Sequence, residues 1–323
     1  MKALVTGASG FLGSHLVFHL AQKGWSIRVL IHKSRPSLPP EVEIFQGNVQ
    51  DILALKEAAQ GCDAVFHLAA ALGASRLSQK DFSRINAQGT RNILEAAAKA
   101  GVKRVLHVSS AGVLGSVRKG DVANERYAIR PISLYDKTKL EGETAALDFA
   151  GRGLDVVIVR PGWVYGPGDR RTFKLVRAIA KKRFALVIGG KTRQSPVFID
   201  DIVQGIIAAF ENGRPGEIYN LAGHEVLSVK QIVKEISASL SVRTPSFPLP
   251  RFLVTATAST LETFYSLFNK EAPLNRNRLS FFIHAKPLSI KKAEQELGYR
   301  PEVDFHEGIL RTVSWYRDHA WLT

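Results

Sequence analysis

The chain has 323 residues, 45% hydrophobic, 23% charged and 9% aromatic, which excludes a disordered, collagenous or low-complexity protein and favours one large fold or two intimate subdomains. Its single cysteine, Cys62, excludes an internal disulfide and a thiolate metal cluster, so secreted disulfide scaffolds and zinc fingers are out. Lys and Arg outnumber Asp and Glu by 44 to 29, a formal +15 that points to nucleic acid, an anionic membrane surface or an acidic substrate.

Met1-Lys2 leads straight into Ala3-Leu4-Val5 and a glycine-rich turn, without the apolar length of a cleaved signal, so a cytoplasmic location is expected. Apolar runs predict strands at Lys2–Thr6, Ser26–Ile31, Val42–Gln46, Ala64–Leu68, Val105–Ser109 and Asp155–Arg160. Helical patterns at Ser14–Lys23, Asp51–Gln60 and Asp81–Ala100 fall between them. Strands alternating with helices predict an α/β fold with a doubly wound parallel sheet covered on both faces. The polar, turn-rich run Gly112–Pro131 reads as a loop over a site. Further on come a basic helix at Arg170–Arg183, a strand at Glu217–Leu221, a helix at Ser228–Leu240 and a Pro-rich stretch at Thr244–Pro250. The expected division is a dinucleotide-binding domain over 1–168 and a smaller mixed α/β substrate domain over 169–323, with 197–222 returning to the first. Phe252–Phe268 is shorter than the roughly 20 residues of a spanning helix. Leu261, Phe264, Tyr265 and Phe268 fall at helical spacing, so this segment is expected to pack on the core, with a lipid surface or apolar substrate as the alternative.

Gly7-Ala8-Ser9-Gly10-Phe11-Leu12-Gly13 follows the first strand and opens the first helix. Glycines there permit a tight turn, let backbone N–H groups approach a pyrophosphate, and let helix pack close on strand, while the helix N-terminus favours negative charge. Dinucleotide binding is the expectation. The second strand ends in His32, Lys33 and Arg35, and no acid occurs between Lys23 and Glu41. A free ribose 2′-hydroxyl is usually met by Asp or Glu near this point and a 2′-phosphate by cations, so NADP is preferred over NAD.

Tyr135 and Lys139 are spaced i, i+4 and share one helix face. A free phenol, with a pKa of about 10, is too weak an acid to be poised at neutral pH, and a nearby ammonium stabilises its anion. With the dinucleotide turn, these residues belong to a longer series: Asp63–Ala70, Asn86–Asn92, Val108–Gly115, Tyr135–Lys139, Arg160–Gly168 and Val197–Asp201. In that order they make the chain resemble the extended short-chain dehydrogenase/reductases over nearly its whole length. The resemblance implies a Rossmann fold and hydride transfer at nicotinamide C4, with Tyr135 exchanging the substrate proton and Lys139 its electrostatic partner, which also binds the nicotinamide ribose. Ser110 would position the substrate oxygen, with Ser109 as the alternative. It further implies cofactor contacts from Asn48, Val49, Leu68, Ala69, Ala70, Val108, Pro161, Gly162 and Val164, alongside Gly7, Gly10, Phe11, Leu12 and Gly13. Asn86 resembles the asparagine that supports the active-site backbone, and Asp81–Ala100 with Tyr135–Ala150 resemble the helices of a homodimer interface.

Two departures bear on the substrate. Sugar-nucleotide members commonly carry Arg-Asp before the Val197–Asp201 stretch, where this chain has Gln194-Ser195-Pro196, and dehydratases carry acids after the serine, where it has Ala111-Gly112-Val113. The stretch from Ala272–Arg276 through Leu288–Ala293 and Glu296–Pro301 resembles the dihydroflavonol-reductase and 3β-hydroxysteroid-dehydrogenase branch. A hydrophobic ketone or alcohol is therefore expected, with Phe264–Phe268 and Phe281-Phe282 as pocket aromatics. A nucleotide-sugar epimerase and a non-catalytic NADP sensor are the alternatives. No metal site and no nucleic-acid motif is recognisable. Nine Lys or Arg and no acid lie between Arg170 and Arg193, and Arg170, Lys174, Arg177 and Lys181 share a face suited to an acidic substrate tail or an anionic surface.

Overall fold

The computed structural model describes residues 1–32, 37–72, 77–245, 247–266, 268 and 276–322. Its first half alternates strand and helix: β1 Lys2–Thr6, α1 Phe11–Gln22, β2 Ser26–Ile31, β3 Glu43–Gln46, α2 Ile52–Ala59, β4 Ala64–His67, α3 Gln79–Ser83, α4 Gly89–Lys99, β5 Arg104–Val108, α5 Leu134–Gly151 and β6 Val156–Pro161. The second half contains β7 Trp163–Tyr165, α6 Arg170–Ala180, β8 Leu186–Val187, β9 Arg193–Gln194, β10 Pro196–Phe198, α7 Ile199–Asn212, β11 Ile218–Leu221, β12 Leu227–Ser228 and α8 Val229–Ser239. Then follow β13 Pro248–Leu249, α9 Arg251–Ser266, α10 Arg276–Ile283, α11 Lys291–Leu297 and α12 Phe305–Asp318.

Seven strands form one parallel sheet in the order β11-β6-β5-β4-β1-β2-β3, the doubly wound arrangement expected of a Rossmann fold. Successive strand residues point to opposite faces, and both faces are covered. Leu4, Val65, Val105 and Val156 pack with α2, α4 and α5, while Ala3, Val5, Phe66 and Val157 pack with α1 and α7. Each fully buried Val, Leu or Phe among them contributes about 1.5–3 kcal/mol. The strand order reverses between β1 and β4, so their carboxyl ends diverge there and leave a crevice. Among the described residues three two-stranded pairs, β7 with β10, β9 with β12 and β8 with β13, stand outside this sheet.

Several boundaries differ from the sequence expectation. The helix expected over Asp81–Ala100 is interrupted by a π-helical turn at Arg84–Gln88. There Asn86 is pulled toward two distant segments: its Oδ1 accepts from the Ala71 N–H at 2.7 Å, and its Nδ2 donates to Ala71 O and Thr138 Oγ1. The basic helix stops at Ala180, because the chain turns into a left-handed conformation at Lys182, φ 55°. In α9 the inward residues are Val254 and Ala258, which meet Val187 and Leu279. Phe264 and Phe268, expected on the core, are 54% and 59% exposed. Small Ala258 lets this helix approach on a face that excludes the larger rings. Among the described residues, no helix is long and apolar enough to cross a membrane.

Candidate active site

Gly7 closes the turn after β1 with φ 78°, and a Cβ there would stand 2.7 Å from the Ala69 backbone nitrogen. A Cβ on Gly13 would stand 2.2 Å from the Gly7 carbonyl oxygen. Helix α1 therefore starts against the strand with no side chain between them, with Gly10 as its cap and Phe11 and Leu12 half-buried in its first turn. Its first N–H groups face the crevice between β1 and β4 and fit a pyrophosphate. The opposite wall is Leu68, Ala69 and Ala70, held by bonds from the Leu68 N–H to Thr6 O and from the Ala69 N–H to Thr6 Oγ1. His32 is exposed beyond β2, while Lys33 and Arg35 lie outside the described residues. Asn48 turns its Oδ1 onto the Gln50 N–H at 2.7 Å, and Val49 is buried against Gly89. This crevice fits a dinucleotide.

At the neighbouring strand end, β5 stops at Val108 and releases Ser109 and Ser110 beyond the sheet. Ser109 is buried and donates to Glu143 Oε2 at 2.7 Å. Ser110 caps the short turn at Ala111–Leu114, its Oγ accepting from the Gly112 N–H at 3.0 Å, and its hydroxyl also interacts with the Tyr135 phenol. Ser110, not Ser109, thus meets Tyr135. Helix α5 begins at a reciprocal cap between Ser133 and Asp136, which sets Tyr135 in its first turn and Lys139 one turn later. The Lys139 ammonium is buried and donates to the Val108 carbonyl at 2.7 Å. Burial lowers its pKa to about 8, opposed by the anionic Glu143.

The phenol departs from expectation. Burial raises the Tyr135 pKa above its ordinary value and Asp136 adds to the rise, while Arg171 and the Ser110 hydroxyl act against it. The net direction is therefore upward, because desolvation of the ring outweighs the favourable groups. The basic helix contributes in a way its spacing concealed: Arg171, exposed like Arg170, Lys174, Arg177 and Lys181, acts through its charge on the Tyr135 phenol.

Three further groups complete the surroundings. Glu143, four residues past Lys139, receives Arg160 Nε at 2.9 Å and Nη2 at 2.5 Å, and both side chains are 1% exposed. Its spacing from Tyr135 and Lys139 places it on their helix face, a signal that could have identified it. His67 bridges Thr6 and Thr90 at 2.7 and 3.0 Å, and burial lowers its pKa to about 3, so it is a neutral core residue. On the far side, Pro161 ends β6, and a Cβ on Gly162 would stand 2.5 Å from Ser195 O and 3.4 Å from Leu288 Cδ1. Val164 lies half-buried in β7, and Trp163 beside it packs edge-on against Phe281 at 4.8 Å. Phe281 and Phe282 are half-buried there, whereas Phe264 and Phe268 are on the surface.

The model of the NAD dependent epimerase/dehydratase family matches residues 3–222, which include the glycine turn, Ser110, Tyr135 and Lys139. The chain belongs to this family. A 4-hydroxy-2-methyl-3-oxo-4-farnesyl-3,4-dihydroquinoline-1-oxide ketoreductase of Stigmatella aurantiaca is 29% identical, over 96% of this chain and 95% of that protein. The sterol-4-alpha-carboxylate 3-dehydrogenase, decarboxylating, of Mus musculus is 28% identical, over 97% and 90%. A crystal structure of a dTDP-glucose 4,6-dehydratase from Streptomyces venezuelae with NAD bound superposes with a TM-score of 0.81 at 28% identity, covering 99% of this chain and 98% of that one. This member of the epimerase/dehydratase family is accordingly an oxidoreductase of the short-chain dehydrogenase/reductase type, with a fold that binds a nicotinamide dinucleotide.

Proposed function

We propose that the protein interconverts a secondary alcohol and a ketone on a hydrophobic molecule, using NADP. The observation that carries this reading is the convergence of Ser110, Tyr135 and Lys139 at the carboxyl end of β5, next to the glycine crevice. The bound dinucleotide would supply the acceptor or donor of hydride. Gly7, Gly10, Phe11, Leu12 and Gly13 would hold its pyrophosphate, with Asn48, Val49 and Leu68–Ala70 on the adenine side and Val108, Pro161, Gly162 and Val164 toward the nicotinamide. Ser110 donates to the substrate oxygen, and Tyr135 moves the proton at that oxygen. Lys139, one turn along α5 from Tyr135 and bonded to the Val108 carbonyl, would hold the nicotinamide ribose and supply positive charge to the site.

An apolar substrate is supported by the Trp163, Phe281 and Phe282 cluster beside Gly162 and by the ketoreductase and sterol dehydrogenase relatives. NADP is supported by the missing acid after β2 and by exposed His32 at that strand's end. A homodimer through the α4 and α5 faces is part of the reading. Tyr135→Phe should lower turnover by about 10²–10⁴ while leaving dinucleotide affinity nearly unchanged. Unchanged turnover with a verified substrate removes the mechanism, and equal affinity for NADPH and NADH removes the cofactor assignment.

A further inference from the structure

Lys286 lies on an extended segment held from both sides. The Val117 and Ala123 N–H groups, from the loop after Ser110, donate to Ala285 O and Pro287 O, and the Lys286 N–H donates to Arg193 O in β9. Gln194 Nε2 fixes the approach to this segment by donating to Phe281 O and His284 O at 2.6 and 2.9 Å. Side chains in an extended segment alternate, so Lys286 and Leu288 point the same way. Leu288 reaches to within 3.4 Å of the position a Gly162 Cβ would take, at the loop assigned above to the nicotinamide side.

The Lys286 side chain is 22% exposed, and among the described residues its one carboxylate partner, Asp136 Oδ1, is 4.0 Å away, at the outer limit of an ion pair. Asp136 gives its other oxygen to the Ser133 N–H at 3.1 Å. A Cβ on Gly112 would lie 1.9 Å from Asp136 Oδ1 and 3.1 Å from Ser110 Oγ, so carboxylate and hydroxyl flank the same glycine. Among the described residues the ammonium has no acceptor at hydrogen-bond distance, and Asp136 links it to the turn that carries Ser110. Burial holds its pKa below the usual lysine value, with Asp136 opposing. Burial lowers the His284 pKa, and the charges of Arg251 and Lys286 add to the fall against Asp136, while Arg171 acts on Tyr135 from α6. Lys286 is therefore a part-buried cation whose nearby carboxylate is already engaged in a helix cap. A cation desolvated this way is costly unless a partner completes it.

We propose that Lys286 and Arg171 form an anion subsite for a carboxylate borne close to the reacting carbon of the substrate. This rests on the alcohol–ketone reading above and narrows its substrate to a hydroxy acid or oxo acid with an apolar body. Asp136 nearby makes a monoanion more suitable than a diphosphate, because a second negative charge would meet its repulsion.

The test measures binding of 3-hydroxydodecanoate and of its methyl ester to the full chain by calorimetry. The wild type should hold the acid at least about tenfold more tightly than the ester, as a charge-assisted contact requires. Lys286→Gln should remove that preference while leaving ester affinity unchanged, Lys286→Arg should restore most of it, and Arg171→Gln, at an exposed position, should reduce it. A preference unaltered in Lys286→Gln and Arg171→Gln, or a wild type that favours the ester, overturns the subsite. Tyr135→Phe separates the two readings: full turnover in that variant with the acid preference intact removes only the alcohol–ketone mechanism. Lost turnover with a preference indifferent to Lys286 removes only the subsite.

Discussion

Glu143→Gln should destabilise the protein by about 3–5 kcal/mol, the usual cost of breaking a buried ion pair from one side, and should also shift its activity toward lower pH. The carboxylate accepts from Arg160 Nε and Nη2 and from Ser109 Oγ, and the pair is 1% exposed on both sides, so water cannot replace the lost charge. A glutamine would turn an amide donor toward a guanidinium that already donates, leaving Arg160 uncompensated. Glu143 is also the group that opposes the burial of Lys139, whose pKa stands at about 8. Without the anion that pKa falls further, so Lys139 loses its proton at a lower pH and the alkaline limb of the profile moves down. Urea unfolding followed by tryptophan fluorescence measures the first effect, and kcat/KM from pH 6 to 10 at saturating cofactor measures the second. Glu143→Met combined with Arg160→Met should recover most of the stability, because no lone charge then remains. The reasoning fails if Glu143→Gln costs less than about 1 kcal/mol, since an uncompensated buried charge cannot be that cheap, or if the alkaline limb stays in place.

Gly13→Ala should weaken dinucleotide binding more than about tenfold by titration, because the added Cβ would meet the Gly7 carbonyl at 2.2 Å and push α1 off the strand; unchanged affinity would refute the close-packing argument. Lys139 has a pKa near 8 when folded and 10.5 as its ordinary value, so the unfolded chain binds more protons between those values and stability should rise with pH across that window, by roughly 3 kcal/mol. Lys139→Met should lack that rise; identical urea midpoint changes between pH 7.5 and 10 in both proteins would contradict it. His67 titrates near 3 when folded against 6.5 ordinarily, so stability should fall as pH drops below 6.5, by up to about 1.4 kcal/mol per pH unit. His67→Gln should show the shallower slope in melting temperature between pH 6.5 and 4.5.

Features set by short-range pattern were legible in the sequence. β1 and β2 were placed to the residue because buried parallel strands read as continuous apolar runs with glycine or polar residues at their ends. The Tyr135 and Lys139 spacing and the glycine turn are likewise local. The π-helical turn at Arg84–Gln88 was not legible, since it depends on Asn86 bonding to Ala71 and Thr138. Nor was the upward shift of Tyr135, because desolvation is a property of the assembled site. Periodicity grouped Arg170, Lys174, Arg177 and Lys181, all exposed, as one face, yet it carried no sign that the neighbouring Arg171 acts on Tyr135. Lys286 carries no motif at all and acquires meaning only because the loop after Ser110 and β9 clasp its segment beside Asp136. The acid-base pair is carried on one helix, α5, whereas the proposed recognition of substrate is divided between α6 and a segment more than 100 residues farther along the chain. Side chains at such separation can vary without disturbing the local spacing that hydride transfer requires, so it is there, at Arg171 and Lys286, that differences in substrate between members of this family should be sought.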